Sequence, residues 1–116
     1  MSNHHRIDYF ELPAQDLAAS KRFYSEAFTW NFTDYGPSYA GFGYPGGDRE
    51  AGGINGDPER TRVPLAILYS EDLEATQKKV EAAGGRIVKA IFSFPGGRRF
   101  HFTDPGGNEL AAWSDK

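Results

Sequence analysis

Asp16-Leu17-Ala18-Ala19-Ser20 and, 56 residues further on, Asp72-Leu73-Glu74-Ala75-Thr76 are the two stretches whose comparison decides the fold. Each follows a short apolar run, and each opens a segment with helical spacing. The same offset sets Ile7-Asp8-Tyr9-Phe10-Glu11-Leu12 against Val63-Pro64-Leu65-Ala66-Ile67-Leu68, Tyr24 against Val80 and Ala27 against Ala83. An internal repeat is the first feature to look for, because it fixes the architecture before any single element is assigned. An Asp at the head of each helix can accept an orphan amide hydrogen bond and face the positive end of the helix dipole. Leu17, Phe23, Tyr24 and Phe28 in the first copy, and Leu73, Val80 and Ala83 in the second, recur at three- and four-residue spacing. That spacing predicts amphipathic helices lying on a sheet.

The second helix should stop at Gly84-Gly85, which supply a left-handed C-terminal cap. The first lacks such a glycine and should end near Phe28-Thr29. Three extended runs follow each helix: 30–34, 39–44 and 50–55 after the first, and 87–94, 99–103 and 108–113 after the second. They are separated by Gly36-Pro37, Pro45-Gly46-Gly47, Pro95-Gly96-Gly97 and Asp104-Pro105-Gly106-Gly107, which read as turns. The pattern is strand, helix, three strands, twice. Residues 56–62 are polar, contain Asp57-Pro58 and read as an exposed linker.

Composition agrees with one α+β domain over residues 1–116, with module one at about 6–56 and module two at about 62–114. A chain of 116 residues has room for one core. Zero cysteines exclude a disulfide framework, thiolate metal sites and a cysteine nucleophile, which fits a cytoplasmic setting. A net charge of −3 with scattered basic residues leaves no footprint for nucleic acid. No run of about 18 apolar residues is present, so no membrane span is expected. His4 and His5 read as part of a frayed terminal segment without a role. Arg98 and Arg99 follow a turn and lack the helix and lysine of a phosphate loop. Trp30, Tyr35, Tyr39, Phe42 and Tyr44 read as core or dimer packing.

The run Tyr9-Phe10-Glu11-Leu12-Pro13-Ala14-Gln15-Asp16-Leu17 with Phe23-Tyr24 resembles the opening of glyoxalase-like proteins. Val80-Glu81-Ala82-Ala83-Gly84-Gly85 and the turn Asp104-Pro105-Gly106-Gly107-Asn108 resemble their second half. The resemblance, to the glyoxalase/bleomycin-resistance/dioxygenase (vicinal oxygen chelate) superfamily, runs from about Ile7 to Trp113. It implies two βαβββ modules whose curved sheets form a cup with helices outside and the ligand inside, and a homodimer. It leaves the chemistry open, because lactoylglutathione lyases, dioxygenases, epimerases and metal-free sequestering proteins share that fold.

Enzymes of the superfamily mostly hold a divalent metal on His, Glu or Gln of the first and last strands. Carried over one by one, those positions fall on Tyr9, on Gly53 or Ile54, on Leu65 and near Ala111, and none is a usual ligand. Only a shift by two residues assembles a set, Glu11, Glu109 and His101. The reading is therefore that no metal and no other cofactor is required.

Strand alternation sends Tyr9 and Glu11 to the ligand side if Phe10 and Leu12 pack under the helix. By the same rule Leu65, Ile67 and Tyr69 face inward, as do His101 on its strand and Glu109, Ala111 and Trp113 on theirs, while Phe100 and Phe102 pack below the helices. The expected ligand site comprises Tyr9, Glu11, Leu65, Ile67, His101, Glu109, Ala111 and Trp113, an apolar pocket with a few polar groups. Glu11 and His101 are its candidate acid–base pair. The function that follows is metal-independent binding of a small molecule; the alternatives are a lyase or isomerase using the Glu/His set, and a ligand-free structural dimer.

Overall fold

A computed structural model describes residues 3–47, 49–57 and 63–116. Both modules follow the expected order. The first contains β1 (Ile7–Pro13), α1 (Leu17–Phe28), β2 (Asn31–Asp34), β3 (Tyr39–Gly43) and β4 (Gly52–Asn55). The second contains β5 (Leu65–Tyr69), α2 (Leu73–Ala82), β6 (Arg86–Phe94), β7 (Gly97–Thr103) and β8 (Glu109–Ser114). The fold class is α+β, as expected. Most of the linker, residues 58–62, and with it the expected start of module two near 62, lies outside the described residues.

By compactness the chain divides at Tyr9 and Leu65: residues 9–65 form one unit, and the residues before Tyr9 join 66–116 in the other. The N-terminal segment is tied to the second unit by main-chain bonds, His5 N to Tyr69 O at 2.7 Å and Tyr69 N to Arg6 O at 3.0 Å. Its side chains follow. His5 Nε2 lies 2.9 Å from Thr76 Oγ1, Glu71 N donates to His4 Nδ1 at 2.9 Å, and Trp113 Nε1 donates to Asp8 Oδ1 at 3.1 Å. The expectation of a frayed end is thus corrected. A polar sequence gave no sign of these bonds, because the partners sit more than sixty residues away.

Both repeat aspartates do what their position demands: Asp16 Oδ1 accepts from Ala19 N, and Asp72 Oδ1 from Ala75 N. Gly84, at φ +101°, takes the left-handed turn after α2. After α1 that duty falls on Thr29, at φ 62°, a conformation unusual for a β-branched residue. Its amide donates to Ser25 O, and the amide of Trp30 donates to Tyr24 O.

In the second unit β5 pairs parallel with β8, β8 antiparallel with β7 and β7 antiparallel with β6. Leu73 of α2, Phe100 and Ala112 form its core, with Val80, Ile87, Ile91 and Phe102 packed against them. The helix therefore covers the Phe100/Phe102 face, as alternation predicted. In the first unit β1 pairs parallel with β4, and β3 lies antiparallel between β4 and β2. Helix α1 buries no residue completely, and Phe10, Phe23 and Phe28 are about half exposed. The expected packing of α1 through Phe23 and Phe28, and of Phe10 under it, is corrected. Trp30 stands in between, stacked on Tyr24 at 4.5–4.6 Å centroid spacing on one side and on Phe42 on the other. Its wide ring fills the place that helix side chains would otherwise take.

Candidate functional site

The face of the first unit's sheet opposite Trp30 and Phe42 carries a row of residues in register across four strands. Thr33 pairs with Gly41, Gly41 with Gly53, and Gly53 with Glu11. Next to it on β2 and β3, Asn31 pairs with Gly43. Side chains at paired positions share a face, so the three glycines leave a trough between polar residues on either side. The trough is filled from above. A Cβ at Gly41 would fall 2.1 Å from Glu50 Oε1, and one at Gly53 would fall 2.1 Å from the Tyr39 hydroxyl. Glycine is required at both positions because Glu50 and Tyr39 lie flat on the sheet there.

Glu50 is the hub. Tyr9 donates to its Oε1 and Tyr35 to its Oε2, both at 2.6 Å. Tyr39 donates to Glu11 Oε2 at 3.0 Å, and its oxygen lies 3.4 Å from that of Tyr9. Glu11 is 3% exposed; a carboxylate so deep needs such a partner. Burial, then Tyr39 and the bond to Glu50, push the Tyr9 hydroxyl far above the usual phenol range. The bond to Glu50, ahead of burial, raises that of Tyr35. Both phenols therefore remain donors at ordinary pH. Beside this network a cavity of about 240 Å³ is lined by Asn31, Thr33, Gly41, Phe42, Gly43, Gly47, Arg49 and Glu50.

Of the residues expected at the site, Tyr9 and Glu11 belong to this network. Leu65 is fully buried. The others lie in the second unit, on the face away from α2. There Ile67 pairs with Ala111, and His101 pairs with Ala111 from the other side. His101 Nδ1 is 3.0 Å from Glu109 Oε2, with His101 buried and Glu109 partly exposed. Trp113 turns its indole N–H to Asp8. The Arg99 guanidinium lies 5.5 Å from the Phe92 ring centre and 5.8 Å from that of Phe94. Glu11 and His101 are thus each engaged within their own unit, by Tyr39 and Glu109.

Sequence reasoning missed Glu50, Tyr35 and Tyr39 as site residues. Glu50 precedes β4 in an irregular segment where no alternation rule applies. The glycine spacing was the available signal: Gly41, Gly43 and Gly53 at strand positions mark a close approach by something else.

The profile of the Glyoxalase/Bleomycin resistance protein/Dioxygenase superfamily matches residues 6–112. The chain belongs to this superfamily. Among curated relatives, the anthracycline biosynthesis protein DnrV of Streptomyces peucetius is 29% identical over 124 residues, covering 90% of this chain and 45% of DnrV. CFP32 of Mycobacterium bovis is 25% identical over 120 residues, covering 91% of this chain and 44% of CFP32. The chain therefore spans a little under half the length of these relatives. The Mn(II)-bound glyoxalase from Novosphingobium aromaticivorans has the same fold, with a TM-score of 0.71 at 23% identity over 99% of this chain and 40% of that one.

The superfamily's metal chemistry does not suit the donors present. Leu65 and Ala111, both fully buried, carry no donor atom, Gly53 and Ile54 none either, and the Tyr9 hydroxyl is committed to Glu50. Among the described residues no group of three or more His, Asp or Glu side chains is placed to hold a metal ion. No helix is long and apolar enough to cross a membrane among the described residues.

Proposed function

We propose that this glyoxalase-superfamily chain binds a small molecule without a metal, in the first unit's cavity beside Glu50. The observation that carries the reading is the seating of Glu50: Gly41 clears the floor beneath it, two tyrosines fix its oxygens, and the carboxylate borders a cavity of about 240 Å³. Polar groups held by their neighbours beside a concave wall are what a small-molecule site requires. A network serving stability alone would not need a cavity at its edge.

A second reading is a lyase or isomerase that moves protons with carboxylate and imidazole groups. The contact between His101 and Glu109 favours it, because a carboxylate hydrogen-bonded to one ring nitrogen orients the imidazole and fixes its tautomer. Either reading is compatible with a homodimer, which sedimentation would reveal as a mass twice that of the chain.

Metal analysis and native mass spectrometry on protein purified without chelator test the proposal. The expected result is no stoichiometric divalent ion, together with a retained small organic mass or one acquired from a fragment library. A stoichiometric divalent ion would overturn it.

A further inference from the structure

The cavity beside Glu50 presents oxygen atoms at both ends of its glycine floor. On one face of β3, Gly41 and Gly43 stand two residues apart, roughly 6.6 Å along the strand. Glu50 Oε1 takes the place that a Cβ on Gly41 would need, while Asn31 Oδ1 and Arg49 O lie 3.0 and 3.4 Å from where a Cβ on Gly43 would fall. Arg49 has an interaction of its own, and what it sets beside the floor is its main-chain oxygen. A group seated there faces a carboxylate, a side-chain amide oxygen and a main-chain carbonyl, all of them acceptors. It has to supply hydrogen atoms and a positive charge. From this we infer that the cavity takes a small primary amine, its ammonium group on Glu50 and turned toward Asn31 Oδ1 and Arg49 O. The inference rests on the binding role proposed above for that cavity.

An ammonium group brings three N–H donors and a full charge, where a hydroxyl brings one donor and no charge. A nitrogen bonded at about 2.8 Å to an oxygen on each side reaches across about 5.6 Å, close to the spacing of the two glycines. Each Glu50 oxygen accepts one phenolic hydrogen bond, and a carboxylate oxygen has two acceptor positions, so each retains one for an N–H. An anion would meet the same oxygens and be repelled by Glu50. A calcium ion collects about six to eight oxygens and binds according to their charge; among the described residues lining the cavity, Glu50 is the one carboxylate. Thr33 pairs with Gly41 and lines the same space, where its hydroxyl can meet a polar group a few atoms from the nitrogen. The volume lies below the usual range of roughly 300–1,000 Å³ for pockets that take drug-sized molecules. An amine of a few heavy atoms suits it; a nucleotide or a large aromatic does not.

The test uses the full chain and amide NMR titrations with three probes: ethanolamine, choline, which keeps the charge without any N–H, and ethylene glycol, which keeps a hydroxyl without the charge. Ethanolamine is expected to shift amides between Asn31 and Glu50, and the other two should bind roughly tenfold or more weakly. Glu50→Gln should bring ethanolamine down to the level of ethylene glycol, with the amides of residues 66–116 unmoved as the sign that the variant folds. Asn31→Asp, which leaves Glu50 in place and adds a second carboxylate, should tighten ethanolamine about threefold or more and leave ethylene glycol unchanged. That variant decides the question should Glu50→Gln fail to fold. Equal binding of ethanolamine and ethylene glycol at these amides, or of ethanolamine and choline, would overturn the ammonium assignment and keep the site. Calcium chloride that moves the same amides at a lower concentration than ethanolamine would overturn it too. If neither the ethanolamine series nor a fragment library moves those amides, the binding role itself fails.

Discussion

The two units are built on one pattern and spend their residues differently. In the second, α2 lies on a sheet face whose Leu73, Phe100 and Ala112 are excluded from water. In the first, α1 has no fully buried residue, the floor of β3 and β4 is glycine, and a buried carboxylate, Glu11, is held by a tyrosine. Glycine in a strand costs conformational entropy and gives up side-chain packing. The first copy of the repeat accepts that loss where it seats Glu50 and Tyr39. The difference teaches that a repeat can preserve the backbone plan while its two copies bury different kinds of residue.

The comparison breaks first if the cores prove equal. Phe100→Ala should destabilise by about 3–5 kcal/mol, the cost of a cavity in a closed core, whereas Phe23→Ala on the half-exposed face of α1 should change stability by about 0.5 kcal/mol or less. Urea unfolding of both variants measures the contrast, and similar losses would contradict it. Next in size is Gly53→Ala. The added methyl collides with the Tyr39 ring and hydroxyl, so a loss of about 1–3 kcal/mol is expected, along with release of Tyr39 from Glu11. A variant as stable as the parent, with an unchanged Tyr39 side-chain NMR signal, would mean that the glycine floor is not needed.

A smaller effect sharpens the likeness between the copies. Asp16→Ala and Asp72→Ala each remove one capping bond, and each should cost about 1 kcal/mol. Thermal unfolding that finds one silent would show that the two helices do not begin in equivalent ways. The smallest effect concerns the N-terminal segment of the second unit. His5 sits beside His4 and Lys79, and burial, ahead of these two neighbours, lowers its pKa from 6.5. The unfolded chain therefore takes up the His5 proton first as pH falls. Stability supplied by neutral His5 is complete above 6.5 and declines as pH drops through 6.5 toward the lower folded value. His5→Gln should flatten that part of the stability–pH curve, which equilibrium unfolding at pH 5 to 8 would record.

Much of the fold was legible because its signals are local. Asp16 and Asp72 mark helix starts, Gly84 marks an end, and the alternation of Phe100 and Phe102 with Arg99 and His101 names the two faces of β7 without reference to any other strand. The site was legible only in part. Tyr9 and Glu11 could be set on one face, since they alternate along a regular strand, but their hydrogen-bond partners could not be named. Nothing local connects Tyr9 with Glu50, 41 residues away, or His5 with Thr76, 71 residues away. The exposure of Phe23 and Phe28 was hidden for the same reason: helical spacing shows that apolar residues share a side, and not that Trp30 will occupy the space they face.

The sequence by itself determined the duplicated βαβββ order, the helix-starting caps and the alternation of faces along the strands, because each depends on residue type and spacing along the chain. Tertiary structure alone decided that Gly41 and Gly53 fall side by side under Glu50 and Tyr39, and that Arg49 and Glu50 border one cavity. Those relations depend on register between strands and on the course of an irregular segment. Both are settled by long-range pairing, which no local pattern encodes.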